Sequence, residues 1–276
     1  CIVIFASFSY IRFSKTIASE NQNSLSQVLT LAEKNMEANI SHVENLLVSI
    51  QANSQIEKAL TSDVPLSSLE EMELIDRQIK QTDILRAAVS DIYFYVADRP
   101  DYPLDSGYRV FSTDYVKNEM WYKNTMQNNG ETYLTIIDSS PSDGVLCIAR
   151  PFIDTRTHKI LGIVRIDVNL GTFMSDISRI TLGKTGKVFL VFDNHIINPW
   201  SNPYIRSFVN EKTFFEHISD SDGTPAYMDI GGETQIVAAA PLYSDSLKIV
   251  CAAKYSEINN SVNLVRQSTS LTAVAM

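Results

Sequence analysis

The sequence has 276 residues, a formal net charge of −9, and 45% hydrophobic against 20% charged residues. This length and composition can bury the core of two modest domains or of one large domain, and they exclude a mainly disordered chain. Lysine and arginine form no continuous run, and because nucleic-acid binding needs clustered positive charge, we expect no nucleic-acid partner.

Both ends of the sequence are apolar. The run CIVIFASFSYI (1–11) stops at Arg12 and is shorter than the ~20 residues that span a bilayer. The final run, LTAVAM, is still apolar at Met276. We interpret residues 1–12 as the end of a first transmembrane helix and residues 255–276 as a helix leading into a second one. A lipoprotein that begins at Cys1 and two buried helical ends are the alternatives.

Residues 14–60 contain neither glycine nor proline, and their apolar residues follow a heptad pattern with the polar Asn39 in one slot. The seam of this pattern comprises Leu25, Leu29, Ala32, Met36, Val43, Leu46 and Ile50. It predicts a long helix over residues 13–60. This helix forms a stalk that joins two chains in a homodimer, packs on the chain's own sheet, or does both along different turns.

A second helix is predicted after Pro65, and beyond Val89 the apolar period changes from that of a helix to that of a strand. Strand-like runs follow as DIYFYVAD (91–98), YRVFS (108–112), ETYLTIID (131–138), GVLCIARPF (144–152) and KILGIVRIDV (159–168). A short helix with Trp121 and Tyr122 lies among them. The short polar turns between the runs predict an antiparallel sheet. We assign residues 61–182 to this first strand-rich unit.

A second, smaller set of strands completes the chain. Its runs are GKTGKVFLVFDN (183–194), PAYMDIGG, ETQIVAAAPLY and SLKIVCAAKY, with a short helix near Phe214. Gly231-Gly232 predicts a hairpin turn between two of the strands. We assign residues 183–254 to this second unit. The predicted fold class is therefore α+β, with two tandem antiparallel sheets on a long N-terminal helix.

The two faces of KILGIVRIDV differ in polarity. One face is wholly apolar and needs a helix on top of it, whereas the other places Arg165 and Asp167 among apolar neighbours. A charged pair on a half-buried face is either an internal ion pair or the polar contact of a pocket. The pair Trp121-Tyr122 has two interpretations as well, a hydrophobic plug or the wall of a binding site.

No motif of catalysis or metal binding is present. The sequence has no GxSxG, HExxH, P-loop or GxGxxG motif, and its four histidines lack metal-ligand spacing. Cys1, Cys147 and Cys251 are far apart, and the latter two lie in apolar runs typical of buried, unpaired cysteines. We expect no enzymatic activity in this region, no metal and no cofactor.

The sequence resembles the double Cache sensor domains. The stretch from Tyr115 through WYKNTMQNNGETYLTIID to GIVRIDV is similar to their ligand-binding half. GKTGKVFLVFDN, GGETQIVAAAPLY and SLKIVCAAKYSEI are similar to their membrane-proximal half, and the resemblance covers residues 14–270. It implies two PAS-like antiparallel sheets on a long N-terminal helix, outside a bacterial cell membrane, with a small-molecule ligand in the membrane-distal unit (61–182).

The resemblance also implies a ligand site. The family's amino-acid-binding subset has an arginine two residues before the tryptophan, where this chain has Glu119, and a tyrosine where it has Ile136. We therefore expect a ligand other than a simple amino acid, because a carboxylate at position 119 would repel a ligand carboxylate. Trp121, Tyr122, Asp138 and Asp167 match the family pattern, while Tyr115 is displaced by one residue. The predicted ligand-binding residues are Tyr115, Glu119, Trp121, Tyr122, Asp138, Arg165 and Asp167.

The expected function is sensing of a small molecule for a transmembrane receptor. Within this family, the sequence resembles the sensor domains of Gram-positive histidine kinases that are paired with AraC-type regulators. A chemotaxis receptor and a cyclic-dinucleotide enzyme are alternatives for the output. A membrane-anchored solute-binding or adhesion protein and a hydrolase are alternatives of other classes.

Overall fold

The computed structural model describes residues 2–62, 66–82, 89–137, 144–197 and 202–258. The chain forms two compact units. The first-sheet unit is Ala38–Phe173, and the second-sheet unit is Cys1–Glu37 together with Met174–Met276. Each unit has its own β-sheet and helices, so the predicted α+β class with two sheets is confirmed.

In the described part of the chain, the helices before the first sheet are α1 (Ile2–Gln51), α2 (Ser54–Thr61) and α3 (Ser68–Thr82). The prediction of one uninterrupted helix to residue 60 is wrong, because α1 ends at Gln51. Asn53 begins α2 as its N-cap, and its side-chain oxygen accepts hydrogen bonds from the amides of Gln55 and Ile56. Asparagine favours this position because its short side chain satisfies amides that lack a helical partner.

The heptad seam of α1 is buried in the protein's own fold. All seven seam residues are at most 6% exposed in the single chain. Of the two interpretations of the pattern, the structure supports packing on the chain's own core. These side chains are therefore not available to a partner helix, and a homodimer through α1 would have to use its other residues.

Among the residues that the structure describes, no helix has both the length and the apolar character needed to cross a bilayer. The predicted helix over residues 255–276 is described only at its start, as α9 (Tyr255–Ile258). The remainder of that prediction lies outside the described residues.

The first-sheet unit contains β1 (Val89–Val96), β2 (Val110–Ser112), β3 (Tyr133–Ile137), β4 (Val145–Ile153) and β5 (Ile160–Asn169). They are arranged in the order β2-β1-β5-β4-β3. All neighbouring pairs are antiparallel except β1 and β2, which are parallel. The sequence predicted antiparallel pairing here too, but the long connection from Ala97 to Arg109 lets the chain return to the same end of the sheet before β2 starts.

Between β2 and β3 the chain forms a short 3-10 helix (Thr113–Tyr115) and then α4 (Met120–Gln127). The 3-10 helix starts at Ser112, whose hydroxyl accepts a hydrogen bond from the Asp114 amide. This connection carries both aromatic residues of the predicted site. After β5, α5 (Leu170–Phe173) ends the unit.

The second-sheet unit contains β6 (Thr181–Leu182), β7 (Gly186–Phe192), β8 (His195–Ile196), β9 (Ala226–Ile230), β10 (Glu233–Leu242) and β11 (Ser244–Lys254). Their order is β6-β7-β11-β10-β9, with β8 also paired to β7, and all pairs are antiparallel. Gly231 and Gly232 make the predicted hairpin turn, with φ of 62° and 79°. Its short helices are α6 (Ser175–Ser178), α7 (Pro203–Arg206) and α8 (Lys212–Ser219).

The core of the second-sheet unit is filled with aromatic rings. Phe189 of β7 contacts Phe208 and Phe214 at ring-centroid distances of 5.7 and 6.2 Å, and all three are at most 1% exposed. These rings cover the sheet face against which α7 and α8 lie. The described part of this face is therefore a packed core.

Candidate functional site

One face of the first sheet carries the polar pair that the alternation of β5 predicted. Arg165 and Asp167 lie two residues apart on β5, and therefore on the same face. In the sheet register Arg165 lies opposite Tyr93 of β1 and Ala149 of β4, while Cys147 of β4 lies opposite Asp167. Directly opposed residues of antiparallel strands share a face, so these side chains form one surface.

Arg165 and Asp167 form a bidentate ion pair. The Nε and Nη2 atoms of Arg165 donate to the two carboxylate oxygens of Asp167, at 2.7 and 2.6 Å. The two side chains are 14% and 11% exposed. Of the two interpretations from the sequence, the structure shows the internal ion pair, because the long arginine side chain folds back along its own strand.

The ion pair keeps the guanidinium charged inside the protein. Burial lowers the pKa of Arg165, but its hydrogen bonds with Asp167 and the nearby acidic groups outweigh this effect, so the pKa is raised. The charge-assisted, two-bond geometry is the strong form of a hydrogen bond between these groups.

Helix α4 covers this face with aromatic rings. Trp121 is buried, and its ring centroid is 5.5 Å from that of Tyr95 and 6.1 Å from that of Tyr122. The guanidinium carbon of Arg165 is 4.9 Å from the centroid of Trp121 and 5.5 Å from that of Tyr93. Both distances are within the ~6 Å at which a cation is attracted to an aromatic face.

We refer to the packed residues of this face as the aromatic cluster. Its members are Tyr93, Tyr95, Phe111, Val116, Trp121, Tyr122, Met126, Tyr133, Ile137, Cys147, Ala149 and Ile163. They come from five strands and from the connection between β2 and β3. The amide of Asn124 on α4 donates to the Tyr133 hydroxyl of β3 at 2.8 Å, which fixes the helix to the sheet.

Two titratable groups of the cluster, Cys147 and Tyr95, are held in their neutral forms. Burial raises the pKa of Cys147 to about 12 and that of Tyr95 to about 12, so both are protonated at neutral pH. A protonated thiol is a poor nucleophile. Across the described residues there is also no group of three or more His, Cys, Asp and Glu side chains that could hold a metal ion.

The structure brings together four of the seven predicted site residues: Trp121, Tyr122, Arg165 and Asp167. Asp138 lies outside the described residues. Glu119 is exposed at the N-cap of α4, where its side chain makes no capping hydrogen bond. Glu119 is therefore not a member of the cluster, and its expected repulsion of a ligand lacks the burial that would make it strong.

Tyr115 is the other predicted residue outside the cluster. Its side chain is partly exposed, and its hydroxyl donates to the backbone carbonyl of Tyr102 at 2.9 Å. Tyr102 in turn donates its own hydroxyl to the fully buried carboxylate of Glu71 on α3, which also pairs with Arg99. Tyr115 thus holds the connection after β1 in place rather than facing the ion pair.

Three tyrosines of the cluster, Tyr93, Tyr95 and Tyr133, are not among the residues predicted from the sequence. Tyr93 and Tyr95 share a face of β1 by their alternation in DIYFYVAD, so a signal was present. Their position opposite Arg165 and Ile163 depends on the register between β1 and β5. Tyr133 likewise joins the cluster through the pairing of β3 with β4.

The comparisons with known proteins give a family and a fold. The dCache_1 family model, a Cache domain, matches residues 13–262. None of the curated proteins gives a significant match.

Solved structures with a similar fold include ligand-binding domains of bacterial chemoreceptors. The ligand-binding domain of Campylobacter jejuni Tlp3 with L-valine has 13% identity and a TM-score of 0.60, covering 89% of this chain and 97% of that chain. That of the Pseudomonas aeruginosa amino-acid chemoreceptor PctC with GABA has 18% identity and a TM-score of 0.58, with 84% and 98% covered. That of Pseudomonas fluorescens CtaA with L-isoleucine has 19% identity and a TM-score of 0.59, with 90% and 98% covered. At these identities the likeness establishes the fold alone.

Proposed function

Since the chain belongs to the double Cache family of sensor domains, we propose that it binds a small molecule at the aromatic cluster and passes this signal to the output of a transmembrane receptor. The domain senses a ligand and is not an enzyme. We propose that the sensor region lies outside a bacterial cell membrane and that the first-sheet unit is its membrane-distal part. Residues 1–12 and the segment after Ile258 would connect it to the membrane.

A single observation carries the binding site: the Arg165–Asp167 ion pair lies among aromatic rings on one face of the sheet. Small-molecule sites combine apolar and aromatic walls with a few polar groups that fix orientation. Rings from α4 and β1 supply the walls. Arg165 supplies polar atoms that are held in place by Asp167 and by the ring of Trp121.

Three outputs are consistent with this sensor: a histidine kinase, a chemotaxis receptor and a cyclic-dinucleotide enzyme. The resemblance of the sequence to Gram-positive sensor histidine kinases favours a kinase output, whereas the similar solved domains belong to chemoreceptors. The full gene product would distinguish them. A phosphoacceptor histidine on a helix pair after a HAMP linker indicates a kinase, and a long methylated coiled coil indicates a chemotaxis receptor.

We further propose that the ligand is not a simple α-amino acid. Such a ligand needs an anionic group for its ammonium and a cationic group for its carboxylate. Asp167 is already paired with Arg165 at both oxygens. Glu119 is exposed, so the pairing of Asp167 with Arg165 is what disfavours the ammonium group of an amino acid. The Tlp3 and CtaA domains were solved with amino acids bound, so this chain would differ from them in specificity.

The binding site is tested by a thermal-shift screen of small metabolites on the purified 276-residue chain, followed by the same ligands on Trp121→Ala. We expect the variant to lose at least tenfold in affinity, because the ring forms a wall of the proposed site and holds the guanidinium of Arg165 in place. Lys123→Ala, an exposed neighbour on α4, is the matched control and should bind normally. Equal affinities of wild type and Trp121→Ala would exclude the aromatic cluster as the site.

A further inference from the structure

We propose that the ligand presents a hydrogen-bond acceptor, a carboxylate or a carbonyl oxygen, to Arg165, and that cationic ligands are excluded because the chain's own guanidinium already occupies the cation position of the aromatic cluster. This inference rests on the proposed function, since it assumes that the cluster is the ligand site.

The guanidinium of Arg165 occupies the faces of two rings of the cluster. Its carbon atom lies 4.9 Å from the centroid of Trp121 and 5.5 Å from that of Tyr93. An ammonium group recognised by these rings would need the same space, within ~6 Å of a ring centroid. Arg165 is tethered to the sheet and bonded twice to Asp167, so a free cation would have to displace it.

The charge balance of this face also disfavours a cationic ligand. Asp167 is paired with Arg165, and Asp91, which lies opposite Asp167 in the register, is paired with Arg109 at 3.1 Å. Both described carboxylates beside the guanidinium therefore already have an arginine partner. An ammonium ligand would find no unpaired carboxylate among these described residues, and burial of an unpaired charge is strongly unfavourable.

Arg165 keeps N–H donors that Asp167 does not use. A guanidinium has five N–H donors and no acceptor. Asp167 uses the edge formed by Nε and Nη2 with one hydrogen bond to each atom. The second N–H of Nη2 and one N–H of Nη1 form the next edge of the planar guanidinium, and two parallel N–H groups of this kind can receive a carboxylate or carbonyl oxygen. Three N–H groups of Arg165 are therefore left for a ligand, whereas each oxygen of Asp167 already accepts one charge-assisted hydrogen bond.

The experiment compares three probes that share a ring and differ in the polar group: benzoate, benzamide and benzylamine. Binding of each to the purified 276-residue chain is measured by calorimetry at neutral pH. We expect benzoate or benzamide to bind at least tenfold more tightly than benzylamine. Benzoate ahead of benzamide would identify a carboxylate ligand, and the reverse order would identify a neutral carbonyl.

Arg165→Met gives the sharper comparison, because it opens the cation position and leaves Asp167 unpaired. In this variant the order should reverse, with benzylamine at least tenfold tighter than benzamide. The double variant Arg165→Met/Asp167→Asn removes both charges and avoids a buried unpaired carboxylate. It should bind benzylamine and benzamide with similar affinity.

Preferential binding of benzylamine to the wild-type chain would overturn the inference, as would the absence of binding by all three probes to wild type and variants. Neither result would refute the proposed function. That function fails if the affinity of a ligand found in the screen is unaffected by Trp121→Ala.

Discussion

Arg165 and Asp167 are neighbours on one strand, and their two hydrogen bonds of 2.7 and 2.6 Å satisfy both charges locally. Such a pair joins no separate elements, so it adds little to the packing of the sheet. Removing one partner lowers stability strongly, because it leaves an uncompensated charge that is almost buried. A buried pair can often be replaced as a whole at low cost, whereas breaking it is expensive.

Asp167→Asn should therefore lower the free energy of unfolding by about 3 kcal/mol. The asparagine keeps the size of the side chain but removes the charge that balances Arg165. Urea denaturation of the wild-type and variant chains measures the difference. Combining Asp167→Asn with Arg165→Met should recover most of the loss. A cost below ~1 kcal/mol for the single variant, the range of ordinary surface substitutions, would show that the pair is not structural.

At the scale of elements, the start of α9 is bonded to the turn between β6 and β7. One carboxylate oxygen of Glu257 accepts hydrogen bonds from the amides of Lys184 and Thr185, at 2.8 and 2.7 Å, and the other accepts from the Thr185 hydroxyl at 2.9 Å. Gly183, with φ of 65°, lets the two segments approach, since a Cβ there would lie 3.1 Å from Glu257. This contact fixes where the chain leaves the second sheet.

The contact should be lost in acid. Burial raises the pKa of Glu257, but the hydrogen bonds from Thr185 and Lys184 outweigh this, so the folded-state pKa lies below the unfolded value. The stabilisation is therefore complete above the usual glutamate pKa of ~4.3 and disappears as the pH falls through the lower folded-state pKa.

Amide hydrogen exchange at Lys184 and Thr185 measures this loss. We expect the protection factors of the wild-type chain to fall as the pH drops below ~4.3, whereas those of Glu257→Gln should be low and independent of pH. Glu233→Gln, which removes the nearby ion pair with Lys254, is the matched control and should behave as wild type. Identical pH profiles in the wild type and Glu257→Gln would refute a role for this carboxylate.

Helix α1 permits a test of how its seam packs. Met36 is fully buried in the single chain, and the neighbouring Asn35 is exposed. Met36→Glu should destabilise the fold by about 3 kcal/mol or more, because it buries an unpaired charge, whereas Asn35→Glu should change stability by less than about 0.5 kcal/mol. Thermal unfolding and sedimentation together distinguish unfolding from dissociation. A stable Met36→Glu monomer derived from a wild-type dimer would place the seam at a partner helix.

Periodicity predicted the elements of this fold better than their partners. The alternation of β5 places Arg165 and Asp167 on one face, and the glycine pair between β9 and β10 predicts its hairpin. The sequence alone does not predict that Tyr93 lies beside Arg165, because the register between β1 and β5 depends on the packing of the whole sheet. The position of Glu119 depends on where α4 starts, since the N-cap residue lies just outside the helix and is directed by its backbone angles.

For the whole molecule, the two sheets differ in what covers them. The face of the second sheet is closed by Phe189, Phe208 and Phe214, all almost completely buried. The face of the first sheet includes an ion pair and several half-buried tyrosines. A polar, partly accessible face suits a ligand that arrives from solvent, whereas a packed apolar face suits a structural core. We therefore expect ligand binding in the first-sheet unit.

A crystal structure of the chain with the ligand that gives the largest thermal shift tests this account most directly. The account predicts ligand density against the ring of Trp121, with an acceptor atom of the ligand within hydrogen-bonding distance of the N–H groups of Arg165 that Asp167 does not use. Density bound only to the second-sheet unit, or a ligand cation in place of the Arg165 guanidinium, would contradict it.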